Sequence, residues 1–153
     1  MSETEIAITK LLTKRYDDAA TRSERAVKAM LTAFPEAMVL NHESFLGAAN
    51  LPDPDDQHVL AAALKTRASM IVTENVKDFP SSTLASLNLE AKTADEFIAD
   101  AVDLDPNLAI GALRDMRQRL KNPNLTSNEM LARMESVGLA SAASVLRPFS
   151  KLL

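Results

Sequence analysis

The chain has 153 residues, which suits one domain or one domain with a small appendage. It contains no cysteine and only two histidines, so thiolate-bound metals, cysteine nucleophiles and disulfide frameworks are excluded. The formal net charge is −4. No apolar run approaches the ~18 residues of a membrane span, and the polar start MSETEIAITK is unlike a signal peptide. We therefore expect a cytoplasmic protein with no membrane partner.

Charge is distributed unevenly along the chain. Residues 1–110 are strongly acidic, whereas residues 111–153 carry a net positive charge. The basic end either places cations beside a polyanion or forms an ordinary solvated helix face. The acidic body argues against a protein that coats duplex DNA. It is compatible with a nuclease, because a catalytic metal site needs clustered carboxylates.

The first third of the chain predicts two helices and a short strand. Apolar residues close to helical spacing predict a helix over 3–15. A second helix is predicted over 21–34, with Thr21 as its N-terminal cap. The apolar segment 37–40 predicts a buried strand, and residues 43–50 predict a short helix or turn.

Helices and strands alternate in the middle of the chain, and helices alone follow. The predicted order is helix 55–67, strand 69–73, helix 81–88, strand 89–93 and helix 94–102, with a loop over 74–80. Short links in this order are typical of an α/β fold with a parallel sheet. Three further helices, predicted over 107–122, 126–138 and 139–149, indicate a helical appendage.

Several aspartates flank the first of these predicted strands. Asp53, Asp55 and Asp56 open the preceding helix, and Asp78 follows the strand. Asp53 and Asp55 either join Asp56 and Asp78 in an acidic group or serve as caps, which Asp residues often are before a helix. If packing brings Asp56 to Asp78, converging carboxylates would suit Mg²⁺ or Mn²⁺. Such an ion can activate water for attack on a phosphate.

Other polar residues nearby allow two interpretations each. Thr73 and Asn75, at the end of the strand, either orient a carboxylate, a metal-bound water or a phosphate, or form a simple polar turn. Glu3 and Glu5 are candidate acids, or they complement the dipole of the first helix. His58 fits a surface position better than a ligand.

Residues 51–80, LPDPDDQHVLAAALKTRASMIVTENVKDFP, closely resemble the C-terminal catalytic half of PIN-domain proteins. The shared pattern is an Asp before an Ala-rich helix, a strand that ends in Thr, and the motif Asn-x-x-Asp-Phe. Residues 22–39 and 94–126 resemble the VapC-type toxin subgroup, which carries a helical C-terminal extension. The resemblance implies a PIN-like three-layer α/β/α domain over 1–104 and a helical extension over 105–153.

Members of this family are Mg²⁺- or Mn²⁺-dependent endoribonucleases, and in VapC-type pairs an antitoxin protein inhibits the toxin. The resemblance therefore implies cleavage of single-stranded RNA by this chain. Asp56 and Asp78 match metal-binding acids of the family, and Thr73 and Asn75 match the polar residues beside them. A further acid on a helix is expected, for which Glu5 is the best candidate and Glu3 the next.

The family's first strand, which ends in a metal-binding Asp, has no counterpart before Glu3. We therefore expect a truncated sheet and an incomplete ligand set, with the gap open to a second copy of the chain in a homodimer. Two functions remain open: a metal-dependent endoribonuclease, or a catalytically dead PIN-like remnant that acts as an oligomeric or partner-binding module. A third hypothesis, a helix–turn–helix regulator over 126–147, lacks a basic recognition helix.

Overall fold

The computed structural model describes residues 19–153 in two compact units, which divide between Ser44 and Phe45. The helix predicted over 3–15 lies outside the described residues. The regular elements are α1 (Ala19–Ala33) in the first unit, and α2 (Gln57–Thr66), β1 (Met70–Val72), α3 (Ser81–Ala85), β2 (Glu90–Lys92), α4 (Ala94–Leu104), α5 (Pro106–Arg119), α6 (Ser127–Ser136) and α7 (Ala140–Leu146) in the second. None of the helices within 19–153 combines the length and the apolar character that a membrane span requires.

Two predictions for the first unit are wrong. Helix α1 begins before Thr21, so this residue lies in the first turn and is not the cap. The segment 37–40 is not a buried strand: Pro35–Ala37 forms a 3-10 turn, and Met38 and Leu40 are 54% and 66% exposed. A four-residue apolar segment needs a paired neighbour to become a strand, and none of the described residues pairs with this one.

The second unit contains the small parallel sheet that the alternating pattern predicts. Strands β1 and β2 pair in parallel, with Ile71 opposite Ala91. The backbone N–H of Thr73 donates to the carbonyl of Lys92 at 2.9 Å, which extends the pairing beyond the end of β1. Ile71 is buried but Val72 is 45% exposed, so β1 is half-buried. The order helix, strand, helix, strand, helix is confirmed, and the fold is α/β with helices at its C-terminal end.

Two hydrophobic clusters stabilise the second unit. The sheet cluster joins α2, the two strands and α3 through Leu60, Ala63, Ile71, Phe79, Leu84 and Leu89. The C-terminal cluster joins α4 to α7 through Val102, Ile110, Met130, Leu131, Ala143, Leu146 and Leu153. Helix α4 packs closely against α7, and its Val102 belongs to the C-terminal cluster. The domain boundary at residue 104 stays a prediction.

Asp95, in the first turn of α4, holds the start of α7. Its two carboxylate oxygens accept hydrogen bonds from the backbone N–H groups of Ser141 at 2.9 Å and Ala142 at 2.8 Å. These donors belong to the first turn of α7, where backbone N–H groups have no partner within the helix. The bond from Ala142 is the main cause that holds the pKa of Asp95 below its ordinary value.

Asp95→Asn is expected to lower the melting temperature at pH 7 by about 2–4 °C, because the amide keeps one acceptor oxygen and loses the charge. A lowered pKa means that the carboxylate stabilises the fold above pH 3.8 and that this contribution is lost as the pH falls through its folded value. The difference between variant and wild type should therefore shrink at pH 3. Asp103→Asn, an exposed carboxylate of the same helix, is the control. An Asp95→Asn deficit that is equal at both pH values would contradict the assignment.

Candidate metal centre

A short turn with three aspartates among four residues leads the chain into α2. Asp53 caps this 3-10 turn, Pro54–Asp56, by accepting a hydrogen bond from the Asp55 N–H at 2.9 Å. The cap interpretation is thus confirmed for Asp53 and wrong for Asp55, because the N-cap position of α2 belongs to Asp56. Asp56 occupies the N-cap position of α2, yet its side chain makes no capping hydrogen bond. The helix therefore leaves the Asp56 carboxylate available for another role.

A second short turn, directly after β1, positions Asp78. The N–H of Asn75 donates to Thr73 Oγ1 at 3.1 Å, which fixes the turn into the 3-10 segment Val76–Asp78. The side-chain amide of Asn75 donates through Nδ2 to Asp78 Oδ2. Glu74, between these residues, accepts a hydrogen bond from the N–H of Ala94 at 3.2 Å through Oε1. Asn75 therefore contacts the Asp78 carboxylate, whereas Thr73 bonds only the backbone of Asn75. The role of the two residues toward a metal-bound water or a phosphate stays a prediction.

The reversal of the chain between α2 and β1 brings the two turns together. Arg67 ends α2 in the left-handed conformation, with φ of 56°, and its N–H bonds back to the carbonyls of Ala63 and Leu64. Helix α2 then packs against β1. The N-terminal end of α2, where Asp56 lies, consequently meets the carboxyl end of β1, which leads to Asp78.

Asp53, Asp56 and Asp78 each contribute a carboxylate oxygen to one cluster, in which these three oxygens lie within 4.8 Å of one another. Asp56 and Asp78 are half-buried, and Asp53 is exposed. The structure thus brings together the two predicted ligands and adds Asp53, which the sequence left open between this acidic group and a cap. Its position three residues before Asp56, across a turn, was the available signal.

The remaining candidates lie elsewhere. Glu3 and Glu5 fall outside the described residues. His58 is exposed, with its Nδ1 2.6 Å from the carbonyl oxygen of Asp55, and is not a member of the cluster.

The cluster is electrostatically unfavourable without a cation. Burial, followed by the negative charges of Asp53 and Asp78, raises the pKa of Asp56 above its ordinary value, while the proximity of His58 acts in the opposite direction. The Oδ2 atom of Asp56 is buried and has no hydrogen-bond partner in the part of the chain that the structure describes. An unpartnered buried carboxylate oxygen between two further carboxylates fits a divalent ion, and all-oxygen donors fit Mg²⁺ or Mn²⁺.

Comparison with known proteins assigns the chain to a family. The PIN domain family matches residues 3–77, and the VapC50 C-terminal domain family matches residues 94–148. A curated relative, the putative ribonuclease VapC50 of Mycobacterium tuberculosis, is 31% identical over 112 residues, which cover 73% of this chain. The chain belongs to the PIN/VapC family. No solved structure matches it.

The matches cover most of the site in this PIN-domain chain. The PIN match includes Asp53, Asp56, Thr73 and Asn75 and ends one residue before Asp78. The VapC50 C-terminal match begins with the first residue of α4. The aligned region spans 63% of the length of the curated relative.

Proposed function

We propose that this PIN-domain chain acts as a Mg²⁺- or Mn²⁺-dependent endoribonuclease of the VapC toxin type that cleaves single-stranded RNA. The observation that carries the proposal is the cluster of Asp53, Asp56 and Asp78, with its unpartnered buried oxygen on Asp56. The name of the relative, a putative ribonuclease, supports the same chemistry.

Each residue of the cluster has a distinct part in this proposal. Asp56 and Asp78 would hold the cation, and Asp53 would add a third oxygen while it caps the preceding turn. A bound divalent ion supplies positive charge for a phosphate and lowers the pKa of a bound water. Asn75 orients Asp78 through its side-chain amide, and Thr73 fixes the backbone of Asn75.

The partners and the remaining ligand follow from the family rather than from contacts. We propose that an antitoxin protein inhibits this activity in a cytoplasmic toxin–antitoxin pair, and that the chain forms a homodimer. Glu5 is proposed as a further acid of the centre, with Glu3 as the second candidate. A Glu5→Gln variant that keeps its full affinity for Mn²⁺ would remove Glu5 from the ligand set.

The test measures metal binding and RNA cleavage separately on the full chain. Free Mn²⁺ is followed by electron paramagnetic resonance during titration, and cleavage of a labelled single-stranded RNA is followed with Mn²⁺ and with excess EDTA. We expect saturable Mn²⁺ binding and cleavage that EDTA lowers at least about 100-fold and added Mn²⁺ restores.

Two results would contradict the proposal at different points. Mn²⁺ binding without cleavage would overturn the ribonuclease activity and favour the binding-module hypothesis. Absence of Mn²⁺ binding at millimolar concentration would overturn the metal centre itself.

A further inference from the structure

Helix α5 exposes an apolar stripe opposite its buried face. Leu108, Ala112, Met116 and Leu120 recur every four residues and therefore share one side of the helix and its C-terminal cap. Leu108 is 71% exposed, Met116 46% and Leu120 39%. The other face already supplies Ile110 to the C-terminal cluster. A surface helix normally has one apolar face, directed at the core, so the second stripe has the character of a binding surface.

The stripe leads into a groove between α5 and α6. The groove has a volume of about 400 Å³, and its apolar wall consists of Met116, Leu120, Leu125, Met130, Met134 and Val137. Val137, at its open side, is 68% exposed. Methionine side chains are unbranched and polarisable, so they adapt to apolar groups of different shape. The groove is therefore suited to receiving side chains from another molecule.

Positive charges border this groove although the chain as a whole is acidic. Arg133 lines the groove, Arg119 lies beside the stripe, and Lys121 directly follows Leu120. None of these three cations forms an ion pair with any residue between 19 and 153. Asp115 is the acidic residue on the same border. The border favours a partner whose own charges are negative.

We propose that the groove and the stripe, from Leu108 to Val137, bind an amphipathic helix of a partner protein, with aliphatic or aromatic residues on one face and acidic residues along its borders. The stripe alone covers about 18 Å at 1.5 Å per residue, which corresponds to about three turns of a partner helix. Such a helix places anchors at positions i, i+4 and i+7 into an apolar groove. The inference is independent of the ribonuclease activity.

Charge and apolarity together select this occupant over two others. A second copy of the chain, docked through the same patch, would bring a further set of three cations and one acid to a border that is already positive. Single-stranded RNA would use the cations, but its phosphates would gain nothing from the methionine and leucine wall. An acidic amphipathic helix would contact the cations through its acidic residues and the methionine and leucine wall through its apolar face.

The test uses two fluorescein-labelled 16-residue peptides and the full chain in an anisotropy titration. Both peptides carry Leu at positions i, i+4, i+7 and i+11. Four positions that flank the Leu residues are Glu in one peptide and Lys in the other, and all remaining positions are Ala. We expect the Glu peptide to bind with a Kd on the order of 10–100 μM and the Lys peptide to bind at least about tenfold more weakly.

Three variants locate the binding surface. Met116→Glu and Arg133→Glu should each weaken the Glu peptide about tenfold or more. Both side chains are exposed, so circular dichroism melting should show a folded protein. Arg114→Glu makes the same charge change as Arg133→Glu at an exposed position of α5 outside the groove, and should leave the affinity within about twofold.

Four results would overturn the proposal. They are the absence of saturable binding of the Glu peptide at 1 mM, equal binding of both peptides, an equal loss in Arg114→Glu, and light scattering that shows a dimer which Met116→Glu dissociates. If Arg133→Glu instead weakens binding of a single-stranded RNA and the peptide does not bind, the surface is a nucleic-acid surface.

Discussion

Asp56→Asn is expected to stabilise the metal-free protein while it abolishes the response to Mn²⁺. Burial and the charges of Asp53 and Asp78 raise the pKa of Asp56 in the folded state. Because this pKa is raised, the contribution of the Asp56 carboxyl group to folding stability is fully present when the pH is below its ordinary pKa of 3.8. It is lost as the pH rises through the pKa of the folded state. At pH 7 the charged carboxylate therefore opposes folding, and a neutral amide of the same shape relieves that cost.

The size of the gain is limited because the Asp56 side chain is only half-buried. Solvent screening reduces such repulsion to a fraction of its buried value, so we expect the melting temperature in EDTA at pH 7 to rise by about 1–3 °C. The gain should vanish below about pH 3, where the carboxyl group is neutral in the folded and the unfolded chain alike. A thermal melt series in EDTA across this pH range measures it.

The response to Mn²⁺ should change in the opposite direction. An ion present at 100 times its Kd stabilises the folded state by about 2.7 kcal/mol, which corresponds to about 5–10 °C for a chain of this length. Asp56→Asn should lose most of this shift, and RNA cleavage should fall at least about 100-fold. Asp55→Asn removes a neighbouring charge outside the cluster and should keep both responses. A wild-type response in Asp56→Asn, or an equal loss in Asp55→Asn, would contradict the metal centre.

Leu131→Ala is expected to cost about 2.7–5 kcal/mol of unfolding free energy without affecting the affinity for Mn²⁺. Leu131 is fully buried in the C-terminal cluster, where truncation leaves a cavity in addition to the lost apolar contact. Urea unfolding measures the loss, and electron paramagnetic resonance measures the Mn²⁺ affinity of the folded variant. The affinity should stay within about twofold, because the cluster of carboxylates is built on α2 and the turn after β1.

Leu60→Ala is the matched comparison. Leu60 is equally buried, but it lies in the sheet cluster, four residues after Asp56 on α2. Its truncation should cost a similar free energy of unfolding and also weaken Mn²⁺ binding, since α2 then loses contacts that position Asp56. If Leu131→Ala weakened Mn²⁺ binding as much as Leu60→Ala does, the two clusters would not support separate parts of the molecule.

The sequence predicted the elements of the second unit because their signals are local. The parallel sheet is indicated by strong helix patterns, by two short apolar or β-branched segments and by the short links between them. None of these signals requires knowledge of packing. The segment 37–40 has the composition of a buried strand, but strand formation depends on a neighbour that local composition does not reveal. The same limitation applies to Thr21, whose cap signal is overridden by a helix that begins two residues earlier.

The site was predicted less completely than the fold. Asp56 and Asp78 are 22 positions apart, and their contact depends on how α2 reverses at Arg67 and packs on β1. The resemblance to the family identified both residues as candidate ligands. Only the structure shows how close together they lie. Asp53 was left open because a cap and a candidate ligand look identical in sequence, and here one carboxylate belongs to both the turn and the cluster.

The hydrogen bond from Ala94 to Glu74 has a consequence for ion binding. Glu74 lies between Thr73 and Asn75, so the loop is attached to α4 on one side and to Asp78 on the other. The loop therefore has its shape before any cation arrives. Its conformational entropy is lost when the chain folds and does not have to be lost again on binding. In the proposed metal centre, an ion would therefore meet a backbone that is already ordered by these two hydrogen bonds.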